Sequence, residues 1–416
     1  GIPNLWPYIQ TDRIIRYNMF VREYPYDTPQ HTHEEMIKIL QVTAKAIIKF
    51  LEEEKPDFII FSVIGTIGSM LLYEIAKKKN IKTFIISTAR IGTRYSLGQT
   101  YGDLEYAKET FKDIESNNHL YQKHIQQAEK FLNEFRNHPV PQTTTDSPEA
   151  RPTTRYKQLS FLMPHKIFHS LRWLIHLFYE YISDKHRNDH SNIKPWHYLW
   201  DRIKRKMRIL IGFENLYDQI DPNEDFAFFP LQLEPEVASM LFAPFYTDQL
   251  WLAEKIARSL PIHFKLYIKE HPAMFGYRPH CYYKKLKKIP NVKIIKPTTM
   301  SFSLIQKAKL VMTLTGSTGW EGLLLKKPVI TFGTVFYNDL PMVKNCKTIE
   351  NLPYLVKKQL ENFDYNEKTL INLIAAVYKE SADVDLVQLW DIEGGGKMEK
   401  KEKELMPLVD FIASKL

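Results

Sequence analysis

Two short stretches carry side chains whose types and spacing suit chemistry at a phosphate. The first, Lys269-Glu270-His271-Pro272, closes an apolar run that begins at Phe264. A proline directly after His271 keeps that residue out of helical geometry and aims its imidazole, which can steady negative charge as an imidazolium or through a neutral N–H. The second, Thr315-Gly316-Ser317-Thr318-Gly319-Trp320-Glu321, joins the apolar run Leu310 to Leu314 to a helical pattern. A loop that opens a helix points N–H groups without intrahelical partners at the positive end of the helix dipole, which with three hydroxyls makes a candidate phosphate seat. Gly316 and Gly319 would let the backbone approach a ligand, and Glu321, expected near the first turn, could reach a ribose diol or simply favour the dipole. No Gly-Lys-Ser/Thr closes the loop and no G-x-G pair opens it, so it is neither a Walker loop nor a dinucleotide fingerprint. An ordinary capped turn is the competing reading.

The elements around these stretches alternate. Continuous apolar runs ("DFAFFP", "FKLYIK", "VKIIK", "LVMTL", "PVITFG") are separated by helical patterns, which predicts parallel strands covered on both faces. An earlier part repeats the pattern with "PDFIIFSV" and "KTFIIST". The expected fold is therefore α/β, two doubly wound Rossmann-type lobes facing a central crevice, with a helical insertion and C-terminal helices. The expected division is 1–104 for an N-terminal acceptor-side lobe, 105–210 for a basic helical insertion, 211–348 for the donor-binding lobe and 349–416 for helices packed across both. The first lobe shows only two clear strands, fewer than a full lobe needs. With 416 residues, two lobes of ordinary size are expected.

Open parallel sheets bind ligands beyond the carboxyl ends of their strands. Three loops are expected there: "PLQLEPE", "KEHPAM" and "TGSTGWEG". Transfer of a glycosyl group puts negative charge on a departing phosphate and needs a base near the acceptor hydroxyl. Lys269, His271, Arg278 and the helix opening suit the first task in place of a metal; Glu234, Glu236 and Glu270 are candidates for the second. Arg90, Arg94 and Ser96, after the strand "KTFIIST", are candidates on the acceptor side, with pairing to surface carboxylates as the alternative. Asp383 and Asp385 resemble a metal-binding pair in spacing but fall in a part expected to be helical, where a solvated turn or cap is the expected role. Gly65 and Gly68 are read as close-packing or helix-start residues, with acceptor contact as the alternative.

The block from Phe226 to Tyr337, with "KEHP" and "TGSTGWEG" at their separation, resembles the capsular polysaccharide biosynthesis family, glycosyltransferases of GT-B architecture that include capsule Kdo transferases. Glu270, His271 and Pro272 match that family's His-Pro motif, and Thr315 to Glu321 its Ser/Thr-Gly-Glu motif. The resemblance implies a cytoplasmic enzyme that moves a sugar from a nucleotide-sugar donor, CMP-linked among the candidates, to a polysaccharide or glycolipid acceptor. No cofactor or metal is expected beyond the donor itself. A polyol-phosphate transferase of the teichoic-acid type and an inert scaffold of a capsule assembly complex are the alternatives.

Composition narrows the remaining classes. No apolar run approaches the roughly 18 residues of a membrane span, and two cysteines, Cys281 and Cys346, without zinc-ligand spacing suggest neither disulfides nor a structural zinc. A first residue that is glycine, with no charged-then-apolar leader, suggests a trimmed chain rather than a targeting signal. The net charge of +9 is concentrated. Residues 151–210 hold thirteen Lys and Arg against four Asp and Glu, interleaved with aromatic residues. That segment is either a helix lying on the inner membrane surface or one packed on its own domain with a solvated basic face. No nucleic-acid-binding motif accompanies the charge. The stretch "HPVPQTTTDSPEARPTT" reads as a surface loop.

Overall fold

The computed structural model describes residues 32–62, 64–140, 159–160, 163–187, 194–234, 236–386, 389 and 398–416. The Pro/Thr/Ser stretch from residue 141 onward, and residues 151–158, 161–162 and 188–193 of the basic segment, lie outside the described residues.

In chain order, α1 (His33–Glu54), β1 (Phe58–Phe61), α2 (Ile67–Lys78), β2 (Lys82–Thr88), β3 (Arg94–Gly98), α3 (Glu105–Asn117) and α4 (Gln122–Asn137) precede α5 (Pro164–Ser183) and α6 (Pro195–Ile211). Then come β4 (Phe226–Pro230), α7 (Val237–Met240), α8 (Gln249–Ser259), β5 (Lys265–Lys269), α9 (His280–Lys287), β6 (Val292–Ile295) and α10 (Ser301–Lys307). Last are β7 (Leu310–Thr313), α11 (Ser317–Leu324), β8 (Val329–Thr331), β9 (Val343–Asn345), α12 (Leu352–Glu361), α13 (Glu367–Lys379), β10 (Ser381–Asp383) and α14 (Met398–Ala413). The chain divides into two compact units, one built on Thr145–Met300 and the other on Lys38–Thr144 with Ser301–Leu416.

In the first unit β5 lies between β4 and β6 with both pairings parallel, Phe228 opposite Tyr267 and Ile268 opposite Ile294. The crossovers carry α8 and α9, the βαβ arrangement that an apolar run followed by a helix specifies. Phe226, Ala227, Phe228 and Phe229 are all buried, as a strand covered on both faces requires.

In the second unit β7, β8 and β9 run parallel, with Val311 opposite Val329 and Ile330 opposite Lys344. The unit's other sheet is mixed: β1 and β2 are parallel, whereas β2 with β3 and β3 with β10 are antiparallel. β3 and β10 supply the strands that the sequence lacks at first sight. Asp383 therefore ends a strand and is not part of a helix; it accepts from the Thr93 hydroxyl at 2.6 Å. Gln359 on α12 is buried and donates to the carbonyls of Val329 at 2.7 Å and Met342 at 2.9 Å, tying α12 to the sheet. Thr66 caps α2 together with Ser69, so the Gly65–Gly68 stretch is a helix start; a Cβ at Gly68 would meet nothing, and close packing is not its reason. Among the described residues no helix is long and apolar enough to cross a membrane.

Candidate functional site

In the first unit the loops after β4 and β5 are stitched together by one arginine. Arg278 is wholly buried and its guanidinium reaches both: it donates to Gln232 O at 2.8 Å and to Glu234 Oε2 at 3.0 Å from one nitrogen, and to Glu270 Oε1 from another. Glu270 also accepts from the Tyr283 hydroxyl at 2.6 Å and from the amide of His271 at 2.6 Å. Glu234 accepts from the side-chain amide of Gln249, whose Oε1 in turn takes the amide of Gln232 at 2.7 Å. Buried charge survives only when its lone pairs and protons are satisfied in this way. Burial pushes the Glu234 carboxyl up to about 7, against the pull of Arg278 and Gln249. Burial, first, and the Glu270 charge beside it raise the Tyr283 hydroxyl well above its ordinary value, so it stays a donor.

His271 sits where this frame ends. Its backbone is extended (φ −66°, ψ 129°), as its proline neighbour requires, and it caps the short turn Pro272–Met274. Nδ1 accepts from the amide of Ala273 at 3.2 Å. A ring nitrogen that accepts an N–H carries no proton, so the neutral ring keeps its proton on Nε2. Lys269, at the carboxyl end of β5, is buried with only 7% of its surface exposed. Glu236 caps α7 with Ser239, which uses its carboxylate locally. Of the expected site residues here, the fold brings Glu234, Glu270 and His271 together through Arg278; Glu270 and Glu234, at 1% and 5% exposure, are enclosed by their donors.

In the second unit the loop Leu314–Gly316 leads from β7 into α11. Gly316 is the N-cap and no side chain caps the helix, so the first-turn amides of Ser317 and Thr318 have no intrahelical partner. The amide of Gly316 itself is taken by Thr313 Oγ1 at 3.0 Å. Thr315 is buried, while Gly316, Ser317 and Thr318 are half-exposed. Two details differ from the sequence expectation. A Cβ on Gly319 would collide with the hydroxyl of Tyr337 and the methyl of Thr313, so the protein's own packing, not a ligand's approach, demands this glycine. Glu321 lies in the second turn of α11 and is buried, rather than standing at the first turn.

Two anchors hold α11 in place. The indole N–H of Trp320 donates to the carbonyl of Arg90 at 3.0 Å, and Arg90 adopts φ 58°, a left-handed conformation uncommon outside glycine. At the other end Arg136 on α4 donates to the carbonyl of Leu324 at 2.9 Å and pairs with Glu367 at 3.0 Å, a cation at the negative end of the helix. The Tyr337 hydroxyl donates to Gly316 O at 3.1 Å, beside the helix opening. Sequence reasoning missed Arg136, Arg278 as a frame, and Tyr337; for Tyr337 the two aromatic residues Phe336–Tyr337 just past "PVITFG" were the available signal.

The other acceptor-side candidates are committed elsewhere. Arg94 donates to the carbonyls of Ser381 at 2.6 Å and Tyr378 at 3.3 Å and to the Ser381 hydroxyl at 2.8 Å. Ser96 is fully buried and donates to Glu380 O at 2.5 Å. Both fasten β10 to β3. The Arg90 carbonyl instead takes the Trp320 indole of α11.

The geometry can be set beside known proteins. A family model for capsule polysaccharide biosynthesis proteins matches residues 124–351, more than half of the chain, and includes both stretches described above. The chain belongs to that family. Among solved structures it is similar to two enzymes of Thermosulfurimonas dismutans: the KpsC β-Kdo 2,7 transferase and the KpsC β-Kdo 2,4 transferase. The first is 12% identical, with 86% of this chain and 92% of that one covered and a TM-score of 0.43. The second is 13% identical, with 77% and 79% covered and a TM-score of 0.42. The Anabaena HepE protein in complex with UDP-glucose is 16% identical over 40% of this chain and 50% of that one, at a TM-score of 0.28. Among curated proteins none matches.

Proposed function

We propose that this chain is a glycosyltransferase of capsule polysaccharide assembly with GT-B architecture. It takes a sugar from a nucleotide-sugar donor, CMP-linked among the candidates, and passes it to a growing polysaccharide or glycolipid acceptor at the cytoplasmic face of the membrane, without a metal ion. One observation carries this reading: Nδ1 of His271 accepts the Ala273 amide, which in the neutral ring sets the proton on Nε2, directly after a parallel strand in a family of capsule polysaccharide biosynthesis proteins.

When the bond between the anomeric carbon and the donor phosphate breaks, negative charge grows on the phosphate oxygen that leaves. His271 Nε2–H supplies a hydrogen bond to that oxygen; the amides and hydroxyls of Ser317 and Thr318, with Thr315, are a second candidate anion seat, in the other unit. Lys269, two residues before His271, adds positive charge. Glu270 and Glu234 are positioning residues. Their burial against Arg278 suits them to hold the loop that carries His271, not to deprotonate an acceptor.

The test is transfer itself. Purified protein is offered CMP-, UDP- and GDP-linked sugars and CDP-polyols with capsule glycolipid acceptors, and the product is followed by mass. Transfer from one class of sugar nucleotide, undiminished by a chelator, is the expected result. Transfer of a polyol phosphate from the CDP-polyol, or none from any donor, contradicts it.

A further inference from the structure

The helix α5 is 20 residues long and none of them is buried. A helix that packs on its own domain hides an apolar stripe; this one shows it. Phe168, Leu171, Ile175, Tyr179 and Ile182 recur at helical spacing and are 55–68% exposed. The neighbouring α6 repeats the pattern with Trp196, Trp200, Ile203, Met207 and Ile211, each 48–64% exposed.

These two helices are paired and fixed. Trp173 packs on Tyr198 with ring centroids 5.6 Å apart, Tyr181 on Trp196 at 5.7 Å, and the Arg202 guanidinium lies 4.8 Å from the Trp173 ring. The opposite side of α6 is seated on the loop that follows His271. Ile209 is buried against Gly276, Arg205 lies 4.4 Å over the Tyr277 ring, and Arg208 donates to the Tyr277 carbonyl. The exposed stripe is thus the remaining face of a well-anchored element.

What covers that face can be read from its border. Lys204 lies over the Trp200 ring at 5.4 Å and Lys194 over Trp196 at 5.9 Å. The described parts of the two helices and their ends, 163–187 and 194–212, carry ten Lys and Arg against three Asp and Glu. A protein–protein interface core is depleted in lysine. Tryptophan and tyrosine beside lysine, along an amphipathic helix too polar to span, is the composition of a helix lying in the headgroup layer of an anionic bilayer.

We infer that the α5–α6 pair is a membrane-docking surface for anionic phospholipid, inserting its two apolar stripes at the headgroup boundary while the lysines at their border, Lys194 and Lys204, face the lipid phosphates. Because α6 is bonded to the loop that follows His271, docking fixes that loop at a set height above the lipid, as an acceptor anchored in the bilayer would require. The surface stands on exposure and charge alone, and holds whether or not the donor chemistry proposed above does.

The test is co-sedimentation of the full chain with vesicles of phosphatidylglycerol and phosphatidylethanolamine, against vesicles of phosphatidylcholine. Two variants place a carboxylate on the exposed stripes, Ile175→Asp and Ile203→Asp, and circular dichroism verifies that both stay folded. The expected result is partition to the anionic vesicles that weakens in high salt, exceeds partition to the neutral ones and falls about tenfold in each variant. Absence of partition to the anionic vesicles, or partition unchanged in both variants, overturns the inference. A concentration-dependent dimer that Ile203→Asp dissolves, with no vesicle binding, overturns it in favour of a second copy of this chain.

Discussion

Arg278 joins Glu234 and Glu270, two carboxylates 36 residues apart in sequence, at N–O distances that leave neither exposed to solvent. That single guanidinium makes one frame of the loops after β4 and β5. Removing it strands two buried carboxylates, which costs far more than the pair contributes while intact. Arg278→Ala should therefore lose about 3–5 kcal/mol of stability, read as a drop in the urea midpoint. Loss within the range of an exposed salt bridge would mean that the frame is not what orders these loops.

Glu234 makes the frame sensitive to pH. Burial raises its folded value from 4.5 to about 7, so the unfolded chain releases this proton more readily than the folded one. The contribution of Glu234 is then fully present below about 4.5 and is lost as pH rises through 7. Over that window the wild-type protein should lose stability on the order of 3 kcal/mol relative to Glu234→Gln. Urea unfolding of both proteins between pH 5 and 8 checks this; parallel curves would refute it.

Arg94 gives a way to separate structure from acceptor binding. Its bonds to Ser381 and Tyr378 fasten β10, so Arg94→Ala should lower stability by about 2 kcal/mol. The KM for the acceptor should not change, measured at a temperature where the variant is folded. A raised KM with unchanged stability would return Arg94 to the acceptor side.

Gly319 is predicted to fail through packing. Gly319→Ala should cost about 1–3 kcal/mol because the new methyl meets Thr313 and Tyr337. Thr313→Ser, which keeps the hydroxyl that accepts from Gly316 but removes the methyl, should recover part of that loss in the double variant. Strictly additive losses in thermal melts would show that the methyl contact is not the cause.

The strands of the regular α/β pattern were legible because they are buried on both faces and read as unbroken apolar runs: Phe226–Pro230, Lys265–Lys269, Val292–Ile295, Leu310–Thr313 and Val329–Thr331. β3 and β10 were not. Arg94–Gly98 mixes arginine, serine and glycine, Ser381–Asp383 is three residues long, and their pairing spans most of the chain, so no local pattern encodes it. The position of His271 was legible from proline stereochemistry, and its tautomer was not, since the amide that selects it belongs to a turn. In one dimension Glu270 reads as a candidate base and Arg278 as a candidate phosphate partner. Only the fold shows that they neutralise one another inside the protein. Gly319 misled for a related reason, because a glycine needed by a distant tyrosine looks the same in sequence as one that admits a ligand.

The central claim is that His271 Nε2–H holds the phosphate of an activated donor. The most direct measurement is calorimetric titration of CMP, UDP, GDP and CDP into the wild-type protein and His271→Ala. The account predicts binding of one nucleotide class by the wild type, weakened about tenfold or more in the variant, whose fold is unchanged. Equal affinity in both proteins, or no nucleotide bound by the wild type, would contradict it.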